Sequence, residues 1–148
     1  MFAYCIAAAH LQLPHMRIDN LMVSNTGAGG EGWPFVDAVK DDEKVAMCDF
    51  ATAPMSDLKY PIPSVIHYCQ RYLIGSILFS KRKFDRTFYA CDTKPLESMP
   101  SDLAEKSIKP DDDEKTKTKI NRESFMLCAI TSILNDSLSF YKDHHCKR

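Results

Sequence analysis

Tyr60-Pro61-Ile62-Pro63-Ser64-Val65-Ile66-His67-Tyr68-Cys69 is the stretch on which the reading of this chain turns. Two prolines, which cannot donate to a β-ladder, precede a β-branched and aromatic run, and that order marks the start of a strand. Successive strand side chains point to opposite faces, so Val65, His67 and Cys69 share one face and Ile66 and Tyr68 the other. Upstream, Met16-Arg17-Ile18-Asp19-Asn20-Leu21-Met22-Val23 alternates apolar with polar and then turns apolar, predicting a second strand at a sheet end. Downstream, residues 124–141 set Phe125, Cys128, Leu134, Leu138 and Tyr141 along one face, with Met126, Ile130 and Ile133 beside it. That pattern predicts an amphipathic helix of about five turns at 3.6 residues per turn.

At 148 residues the chain is one globular domain or a piece of a larger one. Its 45% hydrophobic and 10% aromatic content excludes a disordered tail. A net charge of -1 argues against generic nucleic-acid binding, which needs a cationic excess. No apolar run is long enough to span a bilayer. The six cysteines, Cys5, Cys48, Cys69, Cys91, Cys128 and Cys146, form no C-x-x-C pair, which weakens a zinc ribbon or a thioredoxin-like site. An even, unclustered set fits a disulfide-bearing protein of the secretory lumen; free, buried cysteines acting as small hydrophobes are the alternative.

Residues 1–16 carry no Asp, Glu, Lys or Arg, and Phe2, Ile6 and Ala9 recur at helical spacing in a nearly all-round apolar segment closed by Pro14. A helix apolar on all sides is a buried one, so this one is expected to pack against residues upstream of Met1. A signal peptide is the other reading, but it lacks a positive n-region. Ser24-Asn25-Thr26-Gly27-Ala28-Gly29-Gly30-Glu31-Gly32 reads as a flexible loop or as a backbone cradle for an anion. It has neither the P-loop lysine nor a G-x-G-x-x-G pattern. Trp33-Pro34-Phe35 is an aromatic anchor or a sugar-stacking edge. Residues 37–59 read as an exposed connector around a short helix.

His67, alone in its strand, is a hydrogen-bonded core histidine or a ligand. Lys81-Arg82-Lys83-Phe84-Asp85-Arg86 is a solvated turn or a phosphate cradle. Residues 93–122 are polar and read as a linker or surface loop. The formal D-x-D within Asp111-Asp112-Asp113-Glu114 has no strand before it and reads as solvated. The chain therefore divides into 1–92, a polar loop over 93–122, and a helix with a cysteine-bearing tail over 123–148. Asn135-Asp136-Ser137 matches a glycosylation sequon but lies mid-helix, which disfavours occupancy. In His144-His145-Cys146 the cysteine reads as a disulfide partner that ties down the tail.

Several stretches occur in a recognisable order: Met1-Phe2-Ala3-Tyr4-Cys5-Ile6-Ala7-Ala8-Ala9, Arg17-Ile18-Asp19-Asn20-Leu21-Met22, Gly30-Glu31-Gly32-Trp33-Pro34, Ile66-His67-Tyr68-Cys69-Gln70-Arg71-Tyr72, Phe125-Met126-Leu127-Cys128 and Phe140-Tyr141-Lys142-Asp143-His144-His145-Cys146. This order resembles the C-terminal half of the plant and algal peptidyl serine α-galactosyltransferases, relatives of the hydroxyproline O-arabinosyltransferases. The resemblance implies an α/β chain, the incomplete C-terminal portion of a GT-A-like nucleotide-sugar transferase. It also implies a Golgi or ER lumenal location within a membrane-anchored full-length protein. The donor would be a UDP-sugar, galactose favoured, with a divalent metal such as Mn²⁺. The acceptor would be Ser or hydroxyproline of a hydroxyproline-rich glycoprotein.

Carried over residue by residue, the resemblance makes His67 the late metal-binding histidine. Lys81, Arg82 and Lys83 become the cations facing the diphosphate, where negative charge develops on the leaving group. Trp33, Tyr68 and Arg71 become substrate contacts, and Glu31 and Asp37 the acceptor-side or donor-hydroxyl carboxylates. The family's D-x-D following a strand and its N-terminal anchor have no counterpart in this sequence. The chain is thus expected to be a fragment without turnover by itself. A non-catalytic lumenal, cysteine-stabilised binding module, or a stand-alone interaction protein of that kind, is the competing expectation.

Overall fold

The computed structural model describes residues 2–14, 21–28, 32–39, 46–53, 63–68, 71–83 and 88–146, without the side chains of Phe2, Cys5 and Lys83. The elements in chain order are α1 (Phe2–His10), β1 (Met22–Val23), α2 (Trp33–Asp37), α3 (Met47–Thr52), β2 (Val65–Ile66), β3 (Tyr72–Ile74), β4 (Ile77–Phe79), a 3-10 turn (Lys81–Lys83), α4 (Leu103–Ser107) and α5 (Glu114–His145). It is an arrangement of helices and two small sheets organised around one long C-terminal helix.

That helix starts well before the amphipathic stretch seen in the sequence. Asp113 caps it, its side chain accepting from the Thr116 N–H at 2.7 Å. Residues 114–122 are therefore helical, and the expectation of a linker across 93–122 is corrected there. It is corrected again at α4, where Leu103 and Ala104 are buried in the core. The polar segment carries no apolar period because it is the solvent-facing start of α5. Once the buried turns downstream are formed, each further helical residue costs little.

From Glu123 to Ala129 every residue of α5 is buried, so this stretch is enclosed on all sides. Phe125, Met126 and Leu127 are fully buried there, with Trp33 and Val36 of α2, Phe50 of α3, and Tyr72 and Ile74 of β3 in the same cluster. The Phe125 ring meets Trp33 edge-on at 6.5 Å and Phe50 at 5.9 Å between centroids. Met47, Cys48 and Phe50 are all buried, so α3 is a core element; the expectation of an exposed connector is corrected at this helix.

β1 and β2 pair in parallel, Met22 with Val65 and Val23 with Ile66, and the chain between them carries α2 and α3. β3 and β4 form an antiparallel hairpin through Gly75-Ser76, with Gly75 at φ +57°, the left-handed conformation such two-residue turns need. Gly32 serves a different purpose. A Cβ there would lie 2.8 Å from Pro63 Cγ and 3.0 Å from the Met22 carbonyl, so only glycine lets α2 begin this close to β1.

α1 ends with Gln12 at φ +53°, Leu13 N–H donating to Ala8 O and Gln12 N–H to Ala9 O, the paired bonds of a Schellman cap. Among its described side chains only Ala8 is buried, whereas Tyr4 and Ile6 are exposed. Among the described residues two disulfides close the fold, Cys48–Cys128 joining α3 to α5 and Cys91–Cys146 fixing the C-terminal turn. They fit an oxidising, lumenal or secreted environment. Among the described residues no helix is long and apolar enough to cross a membrane.

Candidate functional site

Ile66 and Tyr68 pack against the core while Val65 and His67 are exposed, the alternation that the sequence predicts for this strand. His67 is therefore not a core histidine. Its backbone N–H donates to Val23 O at 2.8 Å, which places it just past the carboxyl end of the parallel pair. In α/β proteins ligands bind beyond that end of the strands.

Tyr68 turns inward and joins this edge to the basic turn. Its hydroxyl donates to Phe79 O at 3.2 Å and accepts the Lys81 N–H at 3.3 Å, and the Lys81 ammonium lies 5.8 Å from its ring centroid. The ring itself packs on Tyr72 and Phe79. Lys81 and Arg82 of the 3-10 turn are both exposed, and the Arg82 N–H donates to Ser80 Oγ; Arg71, just before β3, is exposed as well. Tyr68 thus ties the strand of the I-H-Y motif to the basic turn of Lys81 and Arg82, while His67 projects from the opposite, exposed face of that strand. Lys83 ends the 3-10 turn, with its side chain outside the description.

The other expected site residues are used differently. Trp33 is fully buried, and its indole N–H donates to Asn25 O at 3.0 Å. The expectation that it stacks on a sugar or peptide is corrected: it is the aromatic anchor. Asp37 is held by Arg122, which donates Nε to Oδ1 at 2.9 Å and Nη2 to Oδ2 at 2.7 Å. Both Asp37 oxygens are thus engaged in a bidentate ion pair, which gives this carboxylate a structural role in joining α2 to α5; each oxygen keeps a second lone pair. Glu31 lies outside the described residues.

Arg122 is the residue that sequence reasoning missed. Its Nη1 also donates to Thr26 O at 3.0 Å and to Ala28 O at 2.7 Å, and its guanidinium sits 5.1 Å over the Trp33 ring. One side chain thereby clasps the start of the glycine-rich segment, α2 and α5 together. The part of that segment described, residues 24–28, is held in place, contrary to the flexible-loop reading. Glu123 lies beside this clasp; burial pushes its carboxyl up, against the pull of Lys119 and the Thr26 hydroxyl. A single arginine in a polar run carries no sequence signal for a partner so distant along the chain.

Two residues of the acidic run serve the backbone around the start of α5. Asp112 accepts from the Lys109 N–H at 2.7 Å and Asp113 caps α5. The hydrogen bond from the Thr116 backbone holds the Asp113 carboxyl below its ordinary range.

Of the residues that the family resemblance assigns to a metal, the structure describes His67, exposed past the end of β2. Among the described residues no group of three His, Cys, Asp or Glu side chains gathers where an ion could be held.

Beneath the basic edge runs a groove of about 770 Å³ between β2, β4 and α5, walled by Ile66, Phe79, Phe88, Phe125, Ala129 and Ile130. A separate, polar cleft of about 350 Å³ lies beside Cys48–Cys128 and is lined by Asp49, Ser98, Ser101, Asn135 and Asp136.

No family model matches the chain, and comparison with curated proteins and with solved structures gives no match either.

Proposed function

We propose that this chain contributes the late-histidine, basic edge of a lumenal nucleotide-sugar transferase with a GT-A-like fold. In that reading a UDP-sugar, galactose favoured, is the donor, and Ser or hydroxyproline of a hydroxyproline-rich glycoprotein is the acceptor. One observation carries the proposal: the Tyr68 hydroxyl accepts the Lys81 N–H, which ties the strand of the I-H-Y motif to the exposed basic turn. An anionic diphosphate is the chemistry this basic turn suits, with Lys81 and Arg82 as cations and Arg71 as a proposed further substrate contact. The disulfides support an oxidising lumenal or secreted setting, and the proposal takes that setting to be the Golgi or ER. Mn²⁺ would take His67 as one ligand and the others from residues outside those described.

The test is a nuclear magnetic resonance titration of UDP-galactose, with Mg²⁺ as a diamagnetic stand-in for Mn²⁺, into a protein that carries this chain at its full natural length. Shifts at residues 67–71 and 81–82, lost in Arg82→Ala, are expected. If those resonances stay still while the ligand saturates elsewhere, or no binding occurs, the proposal is wrong.

The competing reading, a non-catalytic lumenal binding module, is favoured by the apolar groove under the same edge.

A further inference from the structure

We infer that this groove is a binding site for an anionic amphiphile, a molecule with a hydrocarbon body and a single negative head. Its volume, about 770 Å³, lies within the range of roughly 300–1,000 Å³ in which pockets bury small organic ligands. The described lining is apolar apart from Ser64, Tyr68, Lys81 and Tyr89, so the bulk of an occupant must be hydrocarbon or aromatic. A sugar is a poor match. The Tyr68 hydroxyl is already engaged on both sides, by Phe79 O and the Lys81 N–H, and few other polar groups remain to read a ring of hydroxyls.

The charge at the groove selects the head. Lys81 is the one charged residue among the described lining residues, and its ammonium stands over the Tyr68 ring on the same edge as exposed Arg82. A carboxylate or phosphate head placed there meets the Lys81 ammonium while its chain lies along Phe79, Phe125 and Ile130. Ile133 and Tyr89 also line the groove and remain 55% and 44% exposed, apolar surface that an occupant would cover. The inference needs neither a nucleotide nor a metal and stands apart from the sugar-transfer reading.

The experiment is calorimetric titration of the disulfide-intact chain with decanoate and with decyltrimethylammonium, both below their micellar concentrations. Saturable binding of decanoate, tighter than that of the cation, is expected. Ile133→Glu puts a charge into the groove from an exposed helix position, so the melting temperature should hold while decanoate binding weakens at least tenfold. Should that variant fail to fold, Tyr89→Ser at the exposed rim replaces it, with a severalfold loss expected. Lys81→Glu should weaken decanoate about fivefold and tighten the cation by a similar factor, as expected for reversing one partly screened charge. Absence of saturable decanoate binding, or unchanged affinity in the folded groove variant, overturns the inference. So does a Lys81→Glu protein that keeps the original order of the two ligands.

Discussion

Replacing Arg122 with Ala removes the clasp that joins three parts of the fold, and the geometry sets the expected cost. Arg122 makes two charge-assisted bonds to Asp37, at 2.9 and 2.7 Å, and two to backbone carbonyls of residues 26 and 28. The two side chains are 12% and 26% exposed, so the pair is largely but not wholly withdrawn from water. Breaking a fully buried pair from one side costs about 3–5 kcal/mol, and the water that reaches Asp37 brings the expectation to the low end, about 3 kcal/mol. At roughly 2–4 °C per kcal/mol for a domain of this size, the melting temperature should fall by about 6–12 °C. Arg122→Lys keeps the charge but not the planar fork and should recover less than half of the loss. The assay is urea unfolding under oxidising conditions, followed by the fluorescence of Trp33, the sole tryptophan, which lies directly under the guanidinium. A double-mutant cycle with Asp37→Ala isolates the pair, with a coupling of about 1.5 kcal/mol or more expected. If the two losses add within about 0.5 kcal/mol, the pair is not coupled, and Asp37 becomes free for another role.

Burial raises the Glu123 carboxyl above its ordinary value, so the folded state holds that proton more tightly than the unfolded state does. Its contribution to stability is full below the unfolded value and lost as pH rises through the folded one. Glu123→Gln should therefore be more stable than the parent at pH 7, with the advantage disappearing towards pH 4; a difference that grows on acidification refutes this. Of the two disulfides, Cys48–Cys128 is buried at both ends while Cys91 is exposed, so mild reductant without denaturant should expose Cys91 and Cys146 to alkylation first. Removing Cys48–Cys128 by paired Ser substitution opens a link across a separation of 80 residues, worth about 4 kcal/mol on the chain-entropy account, read as a lowered urea midpoint. The Asn135 amide donates to Leu96 O at 3.0 Å and accepts the Leu96 N–H at 2.8 Å. Glycosidase treatment of secreted protein should leave the mass at this sequon unchanged, and Asn135→Ala should cost about 1–3 kcal/mol through the unpaired Leu96 backbone.

What the sequence by itself determined is what depends on neighbours along the chain. The alternation of Val65, Ile66, His67 and Tyr68 is set by strand geometry, and the burial of those residues follows it. The apolar periodicity after residue 123 marks the buried part of α5, and the place of Cys146 in a polar tail pointed to a disulfide. Tertiary structure decided whatever depends on partners far along the chain. Cysteine spacing permits many pairings, and only the packing of α3 on α5 brings Cys48 to Cys128. Trp33 could stack on a ligand or anchor a core until Phe125 and the Asn25 carbonyl enclosed it. Asp37 read as a reactive carboxylate because charge alone marks both catalytic and structural acids; its ion pair with Arg122, 85 residues away, is a structural role that no sequence signal records. The polar start of α5 was illegible for a related reason. A helix carried into solvent by the buried turns behind it needs no apolar face of its own, so no periodicity records it.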